Sequence, residues 1–206
     1  GNPLGSLPFS IAHCGSARFR VSSLLEELKS PTGHTFGTLE VSIAIPQGVL
    51  NHIKDRKPHY FWDRFYIGYV NGQGQPCFVH GVDRTHIQQV GNSEPIDWYQ
   101  TPKDHQWAPE IPVDMDSYKK LSVIMINRTS SRSDITLTLS DNRDQSLSWS
   151  AEIPAKGVRR FELNKENTSG LETTELRMLV QGMPTQYGRP IVFKEFQNGT
   201  ISAMHC

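Results

Sequence analysis

The densest run of residues able to do chemistry is Val79-His80-Gly81-Val82-Asp83-Arg84-Thr85-His86. Imidazole nitrogens with a carboxylate can ligate a transition metal, and an Asp–His pair is a general acid–base couple. The spacing weighs against a shared ligand set. Side chains alternate across a strand, so His80 and His86 share one face, and Asp83 takes the other unless Gly81 breaks the strand. The plainer alternative is that Asp83 and Arg84 hold a loop together while the histidines sit at a strand edge. His13-Cys14 and His205-Cys206 carry the groups of a thiol–imidazole nucleophile, but nothing in the sequence joins them. A buried cysteine beside a partly exposed histidine is the preferred reading of both. No phosphate loop, HExxH, GxSxG or dinucleotide fingerprint is present. The sequence therefore assigns no catalytic residue, no metal and no cofactor.

Aromatic residues are the stronger signal. Pro58-His-Tyr-Phe-Trp62-Asp63-Arg64-Phe-Tyr66 is a dense run of rings, and Trp98, Tyr99 and Trp107 follow it. Flat apolar rings beside Asp and Arg suit a sugar-binding face, which needs stacking and directed hydrogen bonds together. The same residues suit the centre of a protein interface, or simply cover a sheet. The candidate ligand-binding residues are Trp62, Asp63, Arg64, Asp83, Arg84, His86, Trp98, Tyr99 and Trp107.

The elements that must position these residues are strands. In Ser133–Ser140, two-residue alternation puts Ile135, Leu137 and Leu139 on one face. The apolar run Leu121–Ile126 precedes it across a polar loop, and the two read as an antiparallel pair. Ser146–Ser150 and Arg159–Leu163 are short strands separated by Pro154 and Gly157. Leu176–Val180 alternates again. Arg189–Phe196 and Ile201–His205 flank Asn198-Gly199, a pair suited to a type I′ hairpin. Residues 118–206 thus carry about seven strands at sandwich-like spacing. Helix is confined to Ser22–Lys29, with a Ser cap, and one turn near Val49–Lys54.

The chain also looks like itself. Ser6–Ser10 matches Ser146–Ser150, Ala17–Val21 matches Arg159–Leu163, and Leu39, Val41 and Ile43 match Leu176, Met178 and Val180. Arg64–Ile67 matches Arg189–Val192, Asn71-Gly72 matches Asn198-Gly199, and Cys77–His80 matches Ser202–His205, all in order. The expected fold is all-β with minimal helix: two related antiparallel β-sandwich units from an internal duplication. Residues 1–90 form the first unit, residues 91–117 a linker or long ordered loop, and residues 118–206 the second unit. The first unit lacks the leading hairpin of the second, so either the chain is cut inside that unit or its open edge pairs with another strand. A homo-oligomer by strand sharing or edge pairing is expected. The opening Gly-Asn-Pro-Leu-Gly-Ser reads as a cloning remnant or a trimmed end.

Composition narrows the partners. Lys+Arg and Asp+Glu are both 21 in 206 residues, so no net charge draws the chain to nucleic acid or anionic lipid. No apolar run approaches the roughly 18 residues of a membrane span. Three widely spaced cysteines fit neither a zinc site nor a disulfide scaffold and lean toward a cytoplasmic, reducing compartment. Sequons at Asn127, Asn167 and Asn198 carry little weight in a chain rich in Ser and Thr.

A strand ending at Asn127, an alternating strand, Ile153-Pro-Ala-Lys-Gly-Val-Arg-Arg-Phe161 and Pro190-Ile-Val-Phe193 together resemble the sensory rhodopsin transducer-like family. The resemblance covers residues 118–206, with an echo in the first copy. It implies a small β-sandwich that self-associates, acts through binding and is similar to carbohydrate-binding sandwiches. The C-terminal hairpin and the aromatic insertion depart from that pattern, and no site residue is carried over. The function expected is a non-catalytic binding or assembly module taking a carbohydrate or protein ligand. The alternatives are a metal- or acid–base-dependent enzyme using His80, Asp83 and His86, or a structural subunit of an oligomer.

Overall fold

The computed structural model describes residues 4–12, 15–29, 39, 41, 60–61, 66–80, 85–86, 106–107, 113–127, 131–172, 175–182 and 190–205. The described chain is mostly β, with antiparallel sheets and one short helix, α1 (Val21–Glu27). The expected serine cap is absent: the N-cap residue is Arg20, and no side chain caps the helix. The turn near Val49–Lys54 lies outside the described residues.

Among the described residues twelve strands follow in order: β1 (Tyr60–Phe61), β2 (Tyr66–Val70), β3 (Pro76–His80), β4 (Thr85–His86), β5 (Gln106–Trp107) and β6 (Tyr118–Ile126). Then come β7 (Ser133–Ser140), β8 (Ser146–Ile153), β9 (Val158–Leu163), β10 (Arg177–Gln181), β11 (Ile191–Phe196) and β12 (Ile201–His205). Residues 118–206 hold seven of them, as their alternation predicts. One four-stranded sheet runs β5-β10-β7-β8 and another runs β12-β11-β6-β9. A single hydrophobic cluster draws Leu121, Val123 and Met125 from β6, Ile135, Leu137 and Leu139 from β7, and Met178, Val180 and Val192 from β10 and β11. Val113 and Met115 belong to it as well, and Val113 forms a bridge with Leu176. Two residues of the stretch read as a linker or long ordered loop, Val113 and Met115, thus lie in the core.

The expected pairing of Leu121–Ile126 with Ser133–Ser140 does not occur. β6 lies between β9 and β11, and β7 between β8 and β10, so the chain changes sheet between them. The buried Asn127 side chain holds this crossover. Its amide donates to the carbonyls of Ser131 (2.7 Å), Pro154 (3.1 Å) and Ile153 (3.3 Å). Its backbone N–H donates to Gly157 O at 2.9 Å. Two crossings, β6 to β7 and β8 to β9, are thereby tied side by side. A buried amide finding three acceptors outweighs what a short polar loop alone would favour.

The β11–β12 hairpin forms as expected, but not with a type I′ turn. Of its central residues only Gly199 has positive φ, at 82°. Phe196 N–H donates to Thr200 O (2.9 Å) and Gly199 N–H to Phe196 O (2.9 Å), the pattern of a type I turn closed by a left-handed residue. The Asn198 carboxamide prefers a local bond, accepting from Thr200 N–H (3.0 Å) and Thr200 Oγ1–H (2.7 Å).

The segments paired as an internal copy diverge in part. Ser6–Ser10 and Ala17–Arg20 lie outside any strand, whereas Ser146–Ser150 and Arg159–Leu163 lie in β8 and β9. Phe19 is exposed and packs on Phe9 at 4.7 Å between ring centroids, while Phe161 is buried opposite Val123. The two hairpins β2–β3 and β11–β12 do agree. Tyr66 pairs with His80 as Ile191 pairs with His205. The counterpart of Gly199 is Gly74 (φ 79°) rather than Gly72, because Asn71 N–H donates to Gln75 O (3.1 Å) and Gly74 N–H to Asn71 O (3.0 Å). The β7–β8 turn repeats these bonds at Asp141–Gln145, with Asp144 left-handed.

Candidate functional site

The β2–β3 hairpin carries the most exposed rings among the described residues. Its alternation, exposed–half-buried along Tyr66–Val70, gives the ribbon two unlike faces. β3 lies against β12, and the inner face of the ribbon meets β11. Tyr69 meets Phe193 edge-on, with centroids 5.4 Å apart, and Val79 is buried. The outer face presents Tyr66 (72% exposed), Val70 (61%) and Phe78 (61%). Gly68 lies opposite Phe78. A Cβ there would stand 2.8 Å from Phe78 Cε1, so the glycine lets the ring lie flat across the strand. Pro76 sits opposite Val70, a position whose nitrogen faces away from β2, so its missing N–H costs that ladder nothing.

The turn of this ribbon is fixed to the next hairpin. Asn71 Oδ1 accepts from Gln73 N–H (3.0 Å) and Gln75 N–H (2.8 Å). Asn71 Nδ2 donates to Gly199 O at 2.7 Å. Between the two turns lies a cleft of ≈ 350 Å³, lined by Val70, Asn71, Gln73, Phe193, Glu195 and Ile201 among others. That volume is at the small end of ligand sites. The Glu195 carboxylate at its wall is held by Lys119 at 2.9 Å. The cleft thus offers an apolar floor, the Gln73 carboxamide and a carboxylate beside the exposed rings.

The cysteine of this ribbon, Cys77, is half-buried. Burial pushes the Cys77 thiol above its ordinary value, outweighing the opposing backbone hydrogen bond at Tyr69. At neutral pH the thiolate fraction is therefore small. Burial likewise raises the Tyr69 phenol, with Cys77 adding to the effect.

Of the residues chosen from sequence, His86 lies in β4 opposite Tyr60, and Trp107 lies in β5 opposite Val180. Trp62, Asp63, Arg64, Asp83, Arg84, Trp98 and Tyr99 lie outside the described residues. One relation is nonetheless fixed by the flanking ladders. Phe61 pairs with Thr85 and Tyr66 with His80, five positions further along on both strands. The pairs of β1–β4 and of β2–β3 are thus offset equally along the chain. Sequence reasoning missed Val70, Gly68 and Phe78. The signal was there in the alternation of Tyr66, Gly68 and Val70 facing Pro76 and Phe78.

Among the described residues, no group of three or more His, Cys, Asp or Glu is placed to hold a metal. No helix among them is long and apolar enough to cross a membrane. Compared with family models and with curated proteins, the chain matches none.

Proposed function

We propose that this protein is a non-catalytic binding module that takes carbohydrate on the outer face of the β2–β3 ribbon. The observation that carries the reading is the trio Tyr66, Val70 and Phe78, exposed on one face of a ribbon whose other face is anchored. Exposed rings on a rigid backbone stack on the apolar face of a sugar at little entropic cost. The carboxamide of Gln73 and the carboxylate of Glu195 border the adjoining cleft and suit sugar hydroxyls. Trp62, Asp63, Arg64, Asp83, Arg84 and His86 are proposed to belong to the same binding surface. Trp98, Tyr99 and Trp107 are proposed to border it.

In this reading the two four-stranded sheets stack as a β-sandwich that carries the ribbon, in keeping with their common hydrophobic cluster. The likeness of residues 118–206 to the sensory rhodopsin transducer-like family, and descent of the β2–β3 and β11–β12 hairpins from one copied hairpin, are parts of the same proposal. A glycan array probed with the labelled chain tests it. Binding to at least one glycan class is expected, and it weakens at least tenfold in Trp62→Ala or Tyr66→Ala. An array on which the wild-type chain binds nothing refutes the carbohydrate assignment.

A further inference from the structure

The two four-stranded sheets end in four outer strands, β5, β8, β9 and β12. Open edges invite pairing with other chains, and proteins blunt them with charge, brevity or cover. Three of the four are blunted here. β5 is two residues long. β12 has the β2–β3 hairpin alongside it. β9 carries Arg159, Arg160 and Glu162 within six residues, with Glu162 paired to Arg160 (2.9 Å) and Lys120 (3.4 Å).

Among the described residues, β8 has none of these defences. It runs eight residues, Ser-Leu-Ser-Trp-Ser-Ala-Glu-Ile, in unbroken register with β7. It contains no proline, and its one charge, Glu152, is engaged by Arg132 at 3.1 Å. Among the described residues no strand pairs with its outer edge. The groups it offers follow from the turn. Asp141 N–H donates to Gln145 O, and hydrogen-bonded pairs recur at every second residue of an antiparallel ladder. Leu147, Trp149, Ala151 and Ile153 therefore direct their backbone groups at β7. Ser146, Ser148, Ser150 and Glu152 direct theirs at the open edge.

We propose that a second copy of this chain occupies that edge, β8 pairing with β8 antiparallel about a two-fold axis at Trp149. Self-complementarity singles out this occupant. In that register Ser148 faces the second copy's Ser150, both with free backbone groups, as the ladder requires. Leu147 faces Ala151, long against short. Glu152 faces Ser146, so the one charge of the strand meets a hydroxyl and not its own image. On the outer face the hydroxyl pairs Thr138–Ser148 (2.8 Å) and Thr136–Ser150 (2.9 Å) continue across the axis as one row. On the inner face Trp149, packed against the core and only partly covered, meets its symmetry mate. The contact is independent of carbohydrate binding on the β2–β3 ribbon.

Light scattering on the full chain after size exclusion, at tens of micromolar, tests the pairing. The wild-type chain is expected at twice the mass of one chain. Ser148→Lys combined with Ser150→Lys, which sets lysine against lysine across the axis, is expected at the mass of one chain with an unchanged far-UV spectrum. Mixing it with the Ser148→Glu, Ser150→Glu variant restores the doubled mass. A wild-type mass of one chain, or a lysine variant that keeps the doubled mass, overturns the proposal. Hydrogen exchange of the wild-type chain reads the same edge without substitutions. The Ser148 and Ser150 amides are protected at high concentration and exchange at least tenfold faster on dilution; rates that ignore concentration overturn the proposal.

Discussion

Replacing Asn127 with alanine tests whether the crossings between sheets depend on one side chain. Asn127 is fully buried, and its amide serves three carbonyls, those of Ser131, Pro154 and Ile153. Ser131 is exposed, so water can replace the lost donor there. The bond to Ile153 O is buried, but that carbonyl also faces Ser133 across the β7–β8 ladder, so its loss costs the net worth of one hydrogen bond, about 0.5–1.5 kcal/mol. With the net worth of the other two bonds, Asn127→Ala should lose about 2–4 kcal/mol, a large share of the roughly 5–15 kcal/mol holding a typical domain. Asn127→Asp should be worse, and increasingly so as pH rises. Its second oxygen would face carbonyls, so the folded state favours the protonated acid and raises its pKa. Stability is then greatest below the unfolded value of about 3.9 and falls as pH climbs past the raised folded value. Urea unfolding at several pH values measures both variants through the midpoint at constant slope. An Asn127→Ala midpoint within about 0.5 kcal/mol of wild type would refute the reasoning.

Asp141 should show the opposite pH dependence. The backbone N–H of Glu172 (3.0 Å) leads the groups that hold its carboxyl below the usual range, joined by Gln145 and Arg143 N–H. Its contribution is complete above the unfolded value and disappears as pH falls through the depressed folded value. Asp141→Ala should therefore lower Tm at pH 7, with the gap to wild type closing in strong acid; a constant gap would contradict the assignment. Leu137→Ala, at a fully buried core position, should cost about 2–5 kcal/mol, and Tyr66→Ser less than about 0.5 kcal/mol, in the same urea experiment. Cys77 should react with iodoacetamide more slowly than a free thiol at pH 7.5 in mass-spectrometric labelling, gaining rate as pH rises.

What the sequence made legible follows the alternation of side chains. Ile135, Leu137 and Leu139 read as one face because burial imposes a period of two, and the strands of residues 118–206 appear where that period does. Which strands become neighbours is not encoded locally. β6 and β7 look like a hairpin until the three bonds of Asn127 carry the chain to the other sheet. Turn chemistry was half legible. Asn198-Gly199 does mark a reversal, but the Asn198 side chain caps Thr200 and leaves only the glycine left-handed. The matches at Ser6–Ser10 and Ala17–Val21 failed as strands because short polar–apolar patterns do not specify conformation without a sheet to join. The rings were legible as a candidate surface through Tyr66. Phe78 was not, since only the pairing across Gly68 shows that it lies flat and outward.

The exposed ribbon is tested most directly by calorimetric titration of the best array glycan into wild-type chain and into the Tyr66→Ser, Phe78→Ser double variant. Saturable binding by the wild type, lost at least tenfold in a double variant that melts at the wild-type temperature, is the predicted result. Equal affinity in the two chains would place the sugar elsewhere and contradict the account.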